Sequence, residues 1–201
     1  MLNDDMIHCK VIVVGDSGVG KTSIINRYLQ CYNPDEKSTL GASFSSKLQT
    51  VGNYNITFDI WDTAGEERFR SVNSIFYKEA CICLIVYDIT NLESFESIKD
   101  YWYNSVKENA VPEVLLAIAG NKMDLINKEA VAQEEAEKFC KEINAQFFLT
   151  SAKDNDFIDQ IFEELAKKFI ESDIFQKLMS KRDKGRNFNI NKTNKNKKGC
   201  C

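Results

Sequence analysis

Proline is almost missing from this chain: 201 residues hold two, Pro34 and Pro112, with nine glycines. That excludes a collagen-like or proline-rich low-complexity protein. No run of 18 apolar residues occurs, which argues against a membrane-spanning helix. There is one histidine, His8, in an apolar run that reads as a strand, so a histidine triad has poor support. The seven cysteines stand at positions 9, 31, 81, 83, 140, 200 and 201, without the paired spacing of a zinc site. Cys81 and Cys83 alternate within the strand-like run Ala80–Tyr87 and are expected to be reduced core thiols of a cytosolic protein. Met1–Met6 lacks a basic stretch followed by an apolar one, so no secretory signal is expected. Leu2 replaces the glycine that myristoylation requires.

What is present is unevenly charged. Residues 176–201 carry nine Lys/Arg against one Asp, a charge of +8, and residues 1–175 carry 17 against 29, a charge of −12. An acidic body therefore precedes a basic, Asn-rich tail. Phe188 is the only aromatic within residues 183–201, so nucleic-acid binding by stacking has little support, and none is expected. Apolar residues make up 43%, sufficient for one sizeable core.

The densest information lies in Gly15-Asp16-Ser17-Gly18-Val19-Gly20-Lys21-Thr22, a G-x-x-x-x-G-K-T pattern directly after Val11-Ile12-Val13-Val14. A strand, a glycine turn and a helix in this order form a polyphosphate cradle. Backbone N–H groups converge on the phosphates, and the helix presents its positive N-terminus. In this arrangement Lys21 reaches the terminal phosphates and the Thr22 hydroxyl ligates Mg²⁺. The fixed positions alone would arise by chance in about one such chain in a hundred, and the strand–helix context makes chance rarer.

Along the body, apolar runs alternate with helical patterns. Strands are expected over Ile7–Val14, Ser43–Thr50, Asn55–Asp62, Cys81–Tyr87, Val114–Gly120 and Gln146–Leu149. Helices are expected over Lys21–Gln30, Glu93–Glu108, Ala130–Glu142 and Asn155–Ile170. The turn at Gly52-Asn53 makes the second and third strands an antiparallel hairpin. Continuous apolar strands separated by helices imply an α/β architecture, a parallel sheet covered on both faces, with ligands beyond the strand C-termini. The remaining motifs fall at those ends. Asp62-Thr63-Ala64-Gly65 follows the third strand: Asp62 can hold a Mg²⁺ water, and Gly65 can offer its N–H to a terminal phosphate. Asn121-Lys122-Met123-Asp124 follows the fifth, where a carboxylate can pair with the N1–H and amino group of guanine but not with adenine. Ser151-Ala152-Lys153 follows the sixth, small enough to bring a backbone N–H to the base carbonyl. Thr39, in the loop before the second strand, is a candidate second Mg²⁺ ligand.

In this order these motifs resemble the Ras superfamily of small GTPases over residues 7–170, most closely its Rab branch. Tyr87-Asp88-Ile89-Thr90-Asn91, the run Trp61–Arg70 and the terminal Cys200-Cys201 resemble Rab features. Gly41-Ala42-Ser43-Phe44 and Ala117–Lys122 are most similar to the early-endosomal subgroup. The resemblance implies a P-loop G domain over 7–175, preceded by an extension at 1–6 and followed by a flexible tail at 176–201 with a double-cysteine prenylation site. Its six-stranded sheet would be mostly parallel, with one antiparallel edge strand and helices on both faces. It implies GTP or GDP with Mg²⁺, held by Asp16, Ser17, Gly18, Val19, Gly20, Lys21, Thr22 and Ser23. Tyr32, Thr39, Gly65, Asn121, Lys122, Asp124, Ser151, Ala152 and Lys153 complete the nucleotide site. The metal would be held by Thr22, Thr39 and, through water, Asp62; catalysis would fall to Lys21, Thr39, Gly65 and residue 66. Phe44, Trp61 and Phe76 would face effectors.

Further implications are an exchange factor, an activating protein, and escort and dissociation-inhibitor proteins for the lipidated chain. The resemblance also implies a monomer cycling between cytosol and the cytoplasmic face of an endomembrane, the endosome being one possibility. Three departures stand out. Glu66 occupies the place of the family's water-orienting Gln, Phe76–Ala80 replaces Y-Y-R-G-A, and the loop from Thr22 to Thr39 is one residue short. The shortened loop bears on Tyr32, the aromatic expected to cover the base. Glu66 keeps open a second reading, a GTP-binding scaffold that scarcely hydrolyses. An ATPase or nucleotide kinase is opposed by Asp124 and by the single-domain length.

Overall fold

Gln30 holds a left-handed backbone, φ +63°, and that residue ends the first helix. In the computed structural model, which describes residues 6–34, 39, 41–65 and 74–182, β1 (Ile7–Val14) leads through the glycine loop into α1 (Lys21–Tyr28). The Cys31 N–H then bonds back to the Asn26 carbonyl at 2.8 Å, a closure that satisfies the helix's last carbonyls. The expected helix is thus shortened from its far end.

The other strands are β2 (Ala42–Val51), β3 (Tyr54–Thr63), β4 (Ile82–Asp88), β5 (Leu115–Asn121) and β6 (Gln146–Leu149). They form one six-stranded sheet in the order β2-β3-β1-β4-β5-β6. β2 alone runs antiparallel, paired from Ala42↔Thr63 to Val51↔Tyr54 across the Gly52-Asn53 turn. β1 lies centrally, parallel to β3 on one side and to β4 on the other. Its alternation is a sorting device. Cys9, Val11 and Val13 enter the core layer shared with Ile24, Tyr28 and Phe162, while Ile12 and Val14 enter the layer shared with Phe95, Trp102 and Ala136. β2 packs only one face and reads as alternating exposed and half-buried residues, as an edge strand does.

The helices are shaped by contacts distant in sequence. α2 (Ser74–Tyr77) precedes β4, and α3 (Leu92–Ser97) is capped by Asn91, whose Oδ1 accepts from the Ser94 N–H at 3.2 Å. The single helix expected over Glu93–Glu108 is instead α3, a π turn at Ile98–Trp102, and α4 (Tyr103–Asn109). α5 (Gln133–Glu142) starts three residues late because the Ala130 and Val131 N–H groups bond to the Ile89 carbonyl. α6 (Ile158–Glu171) starts late because Asn155 and Phe157 hold left-handed backbones and Ser151 bridges Asp156. Helical backbone resumes over 173–182, past the expected start of the tail. Ile174 and Phe175 are buried, Leu178 and Met179 pack on the core, and Lys177 pairs with Glu113. His8, exposed on β1, bonds Asp59 through Nδ1 at 2.8 Å. Among the described residues, no helix is long and apolar enough to cross a membrane.

Candidate functional site

Five parallel strands end on one edge of the sheet, and the segments that follow them form the site. After β1 the chain turns at Gly15, where a Cβ would lie 2.2 Å from the Val86 carbonyl oxygen. Gly20 has φ +98°, and a Cβ there would lie 2.2 Å from the Asn121 Nδ2. These glycines are required by close approach and by backbone conformation. Val19 is buried, whereas Ser17 and Gly18 face outward and Ser23 is half-buried. Lys21 is 6% exposed, and its ammonium donates to the Gly15 and Asp16 carbonyls at 3.0 and 2.7 Å. Burial lowers its pKa to about 8, against the opposing pull of Asp62 and Asp16.

Three oxygens from three segments meet beside it. The Thr22 hydroxyl lies 2.7 Å from that of Thr39 and donates to Asp62 Oδ2 at 2.6 Å. Two hydroxyls and one carboxylate, the last able to act through water, are hard donors. This donor set fits Mg²⁺. Gly65 seals the cradle: a Cβ there would lie 2.4 Å from the Asp16 carbonyl carbon and 2.5 Å from Lys21 Nζ.

At the other end, Asn121 is a buried tie. Its Nδ2 donates to the Val19 carbonyl at 2.9 Å, and its Oδ1 accepts from the Ala152 N–H at 3.1 Å and the Thr150 hydroxyl at 3.3 Å. The glycine loop, β5 and the loop after β6 are locked together by that one amide. Asp124 accepts from the Ser151 hydroxyl at 2.8 Å, with Lys153 Nζ at 3.6 Å. Lys122, in a left-handed conformation, reaches Asp88 at 2.6 Å. Burial would raise the Asp88 carboxyl pKa; the bonds from Lys122 and Thr90 outweigh this and hold it below the usual range.

Residues 10–171 match the family model described as the Ras family. The chain belongs to that family, as a Rab-type small GTPase. Rab-22A of Homo sapiens is 39% identical over 165 residues, covering 82% of this chain and 84% of that protein. Rab-21 of Homo sapiens is 38% identical over 164 residues, 81% of this chain and 72% of its own length. Rab-7a of Paramecium octaurelia is 40% identical over 164 residues, covering 79% of each chain.

In this Rab-type G domain the aromatic trio is assembled, with Phe44 exposed and Trp61 and Phe76 half-buried against the core. Phe44 is 54% exposed, its ring 5.2 Å from that of Trp61, and Trp61 lies 5.3 Å from Phe76. Tyr32 does not stand alone, because the Arg27 guanidinium lies 3.6 Å above its ring. Glu66, Cys200 and Cys201 fall outside the described residues. Sequence reasoning missed two contributors. Arg27 donates to the Ala152 and Lys153 carbonyls at 2.5 Å each, and nothing in the pattern of α1 marks it for that task. Asp88 ends β4, and its position at the C-terminus of a central parallel strand was the available signal.

Proposed function

We propose that this Rab-type GTPase is a GTP/GDP-regulated switch of vesicle-mediated membrane traffic, hydrolysing GTP to GDP and phosphate. The observation that carries the proposal is the meeting of Thr22, Thr39 and Asp62, with Gly65 against Asp16 and Lys21. Thr39 and Gly65 come from the two loops flanking the β2–β3 hairpin, and both abut the phosphate cradle. A γ-phosphate would draw these loops in, and its loss would release them.

In the reaction, a water oxygen attacks the γ-phosphorus in line as the bond to the β-phosphate oxygen breaks, and the water's proton leaves on the phosphate product. Lys21 neutralises charge developing on the β–γ bridge and the γ oxygens. Gly65 offers its N–H to the γ-phosphate. Thr22 and Thr39, with Asp62 acting through water, would hold Mg²⁺, which would supply further charge stabilisation. At the other end Asp124 pairs with the guanine N1–H and amino group, with Ser151 fixing its carboxylate. Lys122 and Tyr32 flank the ring, and the small residues Ser151 and Ala152 leave room for the base carbonyl.

The decisive experiment is nucleotide selectivity. Purified protein should carry GDP or GTP on chromatography after denaturation. Asp124→Asn should lose guanine affinity by several orders of magnitude and gain xanthine nucleotide binding. Equal affinity of the wild type for ATP and GTP would sink the assignment.

Glu66 supports a second reading, a long-lived GTP-bound scaffold. A carboxylate accepts a hydrogen bond from the attacking water but, when ionised, donates none to the γ-phosphate. Glu66→Gln is expected to change single-turnover hydrolysis at least fivefold while leaving GDP affinity within about threefold, near 0.7 kcal/mol. Equal rates in both variants across pH 6–8 would show that residue 66 does not reach the water. The slow intrinsic rate, dependence on an activating protein, prenylation of Cys200 and Cys201, and residence on an endomembrane belong to this same proposal.

A further inference from the structure

Asp88 closes β4 with a carboxylate held almost out of water, the residue being 8% exposed. Both of its oxygens are taken. Oδ1 accepts from the Thr90 N–H at 2.9 Å and the Thr90 hydroxyl at 2.7 Å, and Oδ2 accepts from the Lys122 ammonium at 2.6 Å. The main chain beside it is fixed as well: its N–H donates to Ser94 Oγ at 3.1 Å, and its carbonyl accepts from the Asn91 N–H at 2.9 Å. The carboxylate is therefore oriented by its own turn before it meets the lysine. Lys122 is the residue that needs holding. It has φ +70° and ψ +37°, a left-handed conformation that is unfavourable for a long side chain. Asp124 follows two positions later and accepts from the Ser151 hydroxyl at 2.8 Å.

We propose that Asp88 is a positioning residue that sets the dwell time of guanine nucleotide, by holding Lys122 and through it the turn that carries Asp124. The inference rests on the reading of Asp124 as the group that pairs with guanine. A strained backbone persists only where its surroundings hold it from more than one side. Here the main chain is held by the Met123 N–H on the Thr150 carbonyl at 2.9 Å and the Leu125 N–H on the Lys122 carbonyl at 2.8 Å. The side chain is held by Asp88. A hydrogen bond between two charged groups is short and strong, and removing one partner of a buried pair leaves the other without its counter-charge. With Asp88 neutral, the Lys122 ammonium turns toward water and the turn loses its side-chain anchor. Asp124 then meets the base over a wider range of positions. The glycine loop takes no part in the Asp88–Lys122 pair, so the loss falls on base recognition.

The test uses the full chain, with release rates of fluorescent GDP and dissociation constants for GDP and inosine diphosphate. The inosine nucleotide carries the same phosphates and the ring N1–H but lacks the 2-amino group, so a loosened Asp124 costs it less. Asp88→Asn keeps an oxygen for Thr90 and removes the charge. It should raise GDP release at least fivefold and lower the preference for GDP over inosine diphosphate at least threefold. In a Lys122→Met background, with no ammonium to hold, Asp88→Asn should change release less than twofold. Thr90→Val leaves the charge but removes the hydroxyl that orients it; it should raise release at least twofold, and it serves if Asp88→Asn fails to fold. Equal weakening of both nucleotides, or the same acceleration in the Met background, would overturn the proposal by showing that Asp88 acts on the fold and not through Lys122. A wild type that binds GDP tightly, with unchanged release in Asp88→Asn and Thr90→Val, would sink this inference alone. A wild type that ignores guanine nucleotides would sink the site reading as well.

Discussion

Lys21 is the most electrostatically exposed to test of the site's residues because it is a cation held almost entirely out of water. Its pKa falls to about 8 in the fold from an ordinary 10.5, with burial as the first cause. Between those values the unfolded chain binds more protons than the folded one, so stability rises with pH across the window. Above 10.5 the cost is absent, and it is complete below about 8. The difference corresponds to about 3 kcal/mol. Nucleotide-stripped wild type should therefore gain urea stability from pH 8 to pH 10 relative to Lys21→Met, which has no proton to exchange. Parallel pH profiles would show that burial does not depress Lys21. Phosphate should cancel the effect by holding the ammonium charged, so the gain should vanish with GDP bound.

At the scale of elements, the base end depends on how α1 grips the loop after β6. Arg27 sits in the last turn of α1 and bonds two consecutive carbonyls, Ala152 and Lys153, through a planar fork while its face covers Tyr32. A lysine cannot reproduce two directed bonds and a stack together. Arg27→Met should raise the GDP dissociation rate about tenfold, a loss near 1.4 kcal/mol, and Arg27→Lys should rescue less than half of it. Stopped-flow release of a fluorescent GDP measures both, and a wild-type rate in Arg27→Met would show that the loop is held without the clamp. The glycine loop is tied to the same end through Asn121, so loosening either tie should reach the phosphates too.

For the whole molecule, an acidic G domain carries a basic tail, and the two should separate functionally. Prenyl chains bury about 0.8 kcal/mol per CH₂, and one chain alone anchors marginally. Basic residues add about 1 kcal/mol each near an anionic leaflet, falling off within a Debye length. Replacing both Cys200 and Cys201 by Ser should make the protein cytosolic, whereas charge reversal at Lys192, Lys195, Lys197 and Lys198 should only shift its distribution. Fractionation of cells expressing each form decides this, and persistent membrane binding of the double-Ser form would end the lipid proposal. Truncation after residue 182 should leave GDP affinity within twofold, because the packed helical segment over 173–182 is retained.

The alternation of apolar runs and helical patterns was enough to read the α/β class, the hairpin at Gly52-Asn53 and the motif segments at the strand ends. Those features are local: a buried strand needs a continuous apolar run, and a phosphate loop needs its glycines and its lysine within eight residues. Tertiary structure alone decided where α5 and α6 begin, because loop contacts claim the backbone N–H groups that would have opened those helices. It also decided the roles of Arg27 and Asp88. Their partners lie 125 and 34 residues away, and a hydrogen bond across such a separation leaves no periodicity in the chain that could announce it.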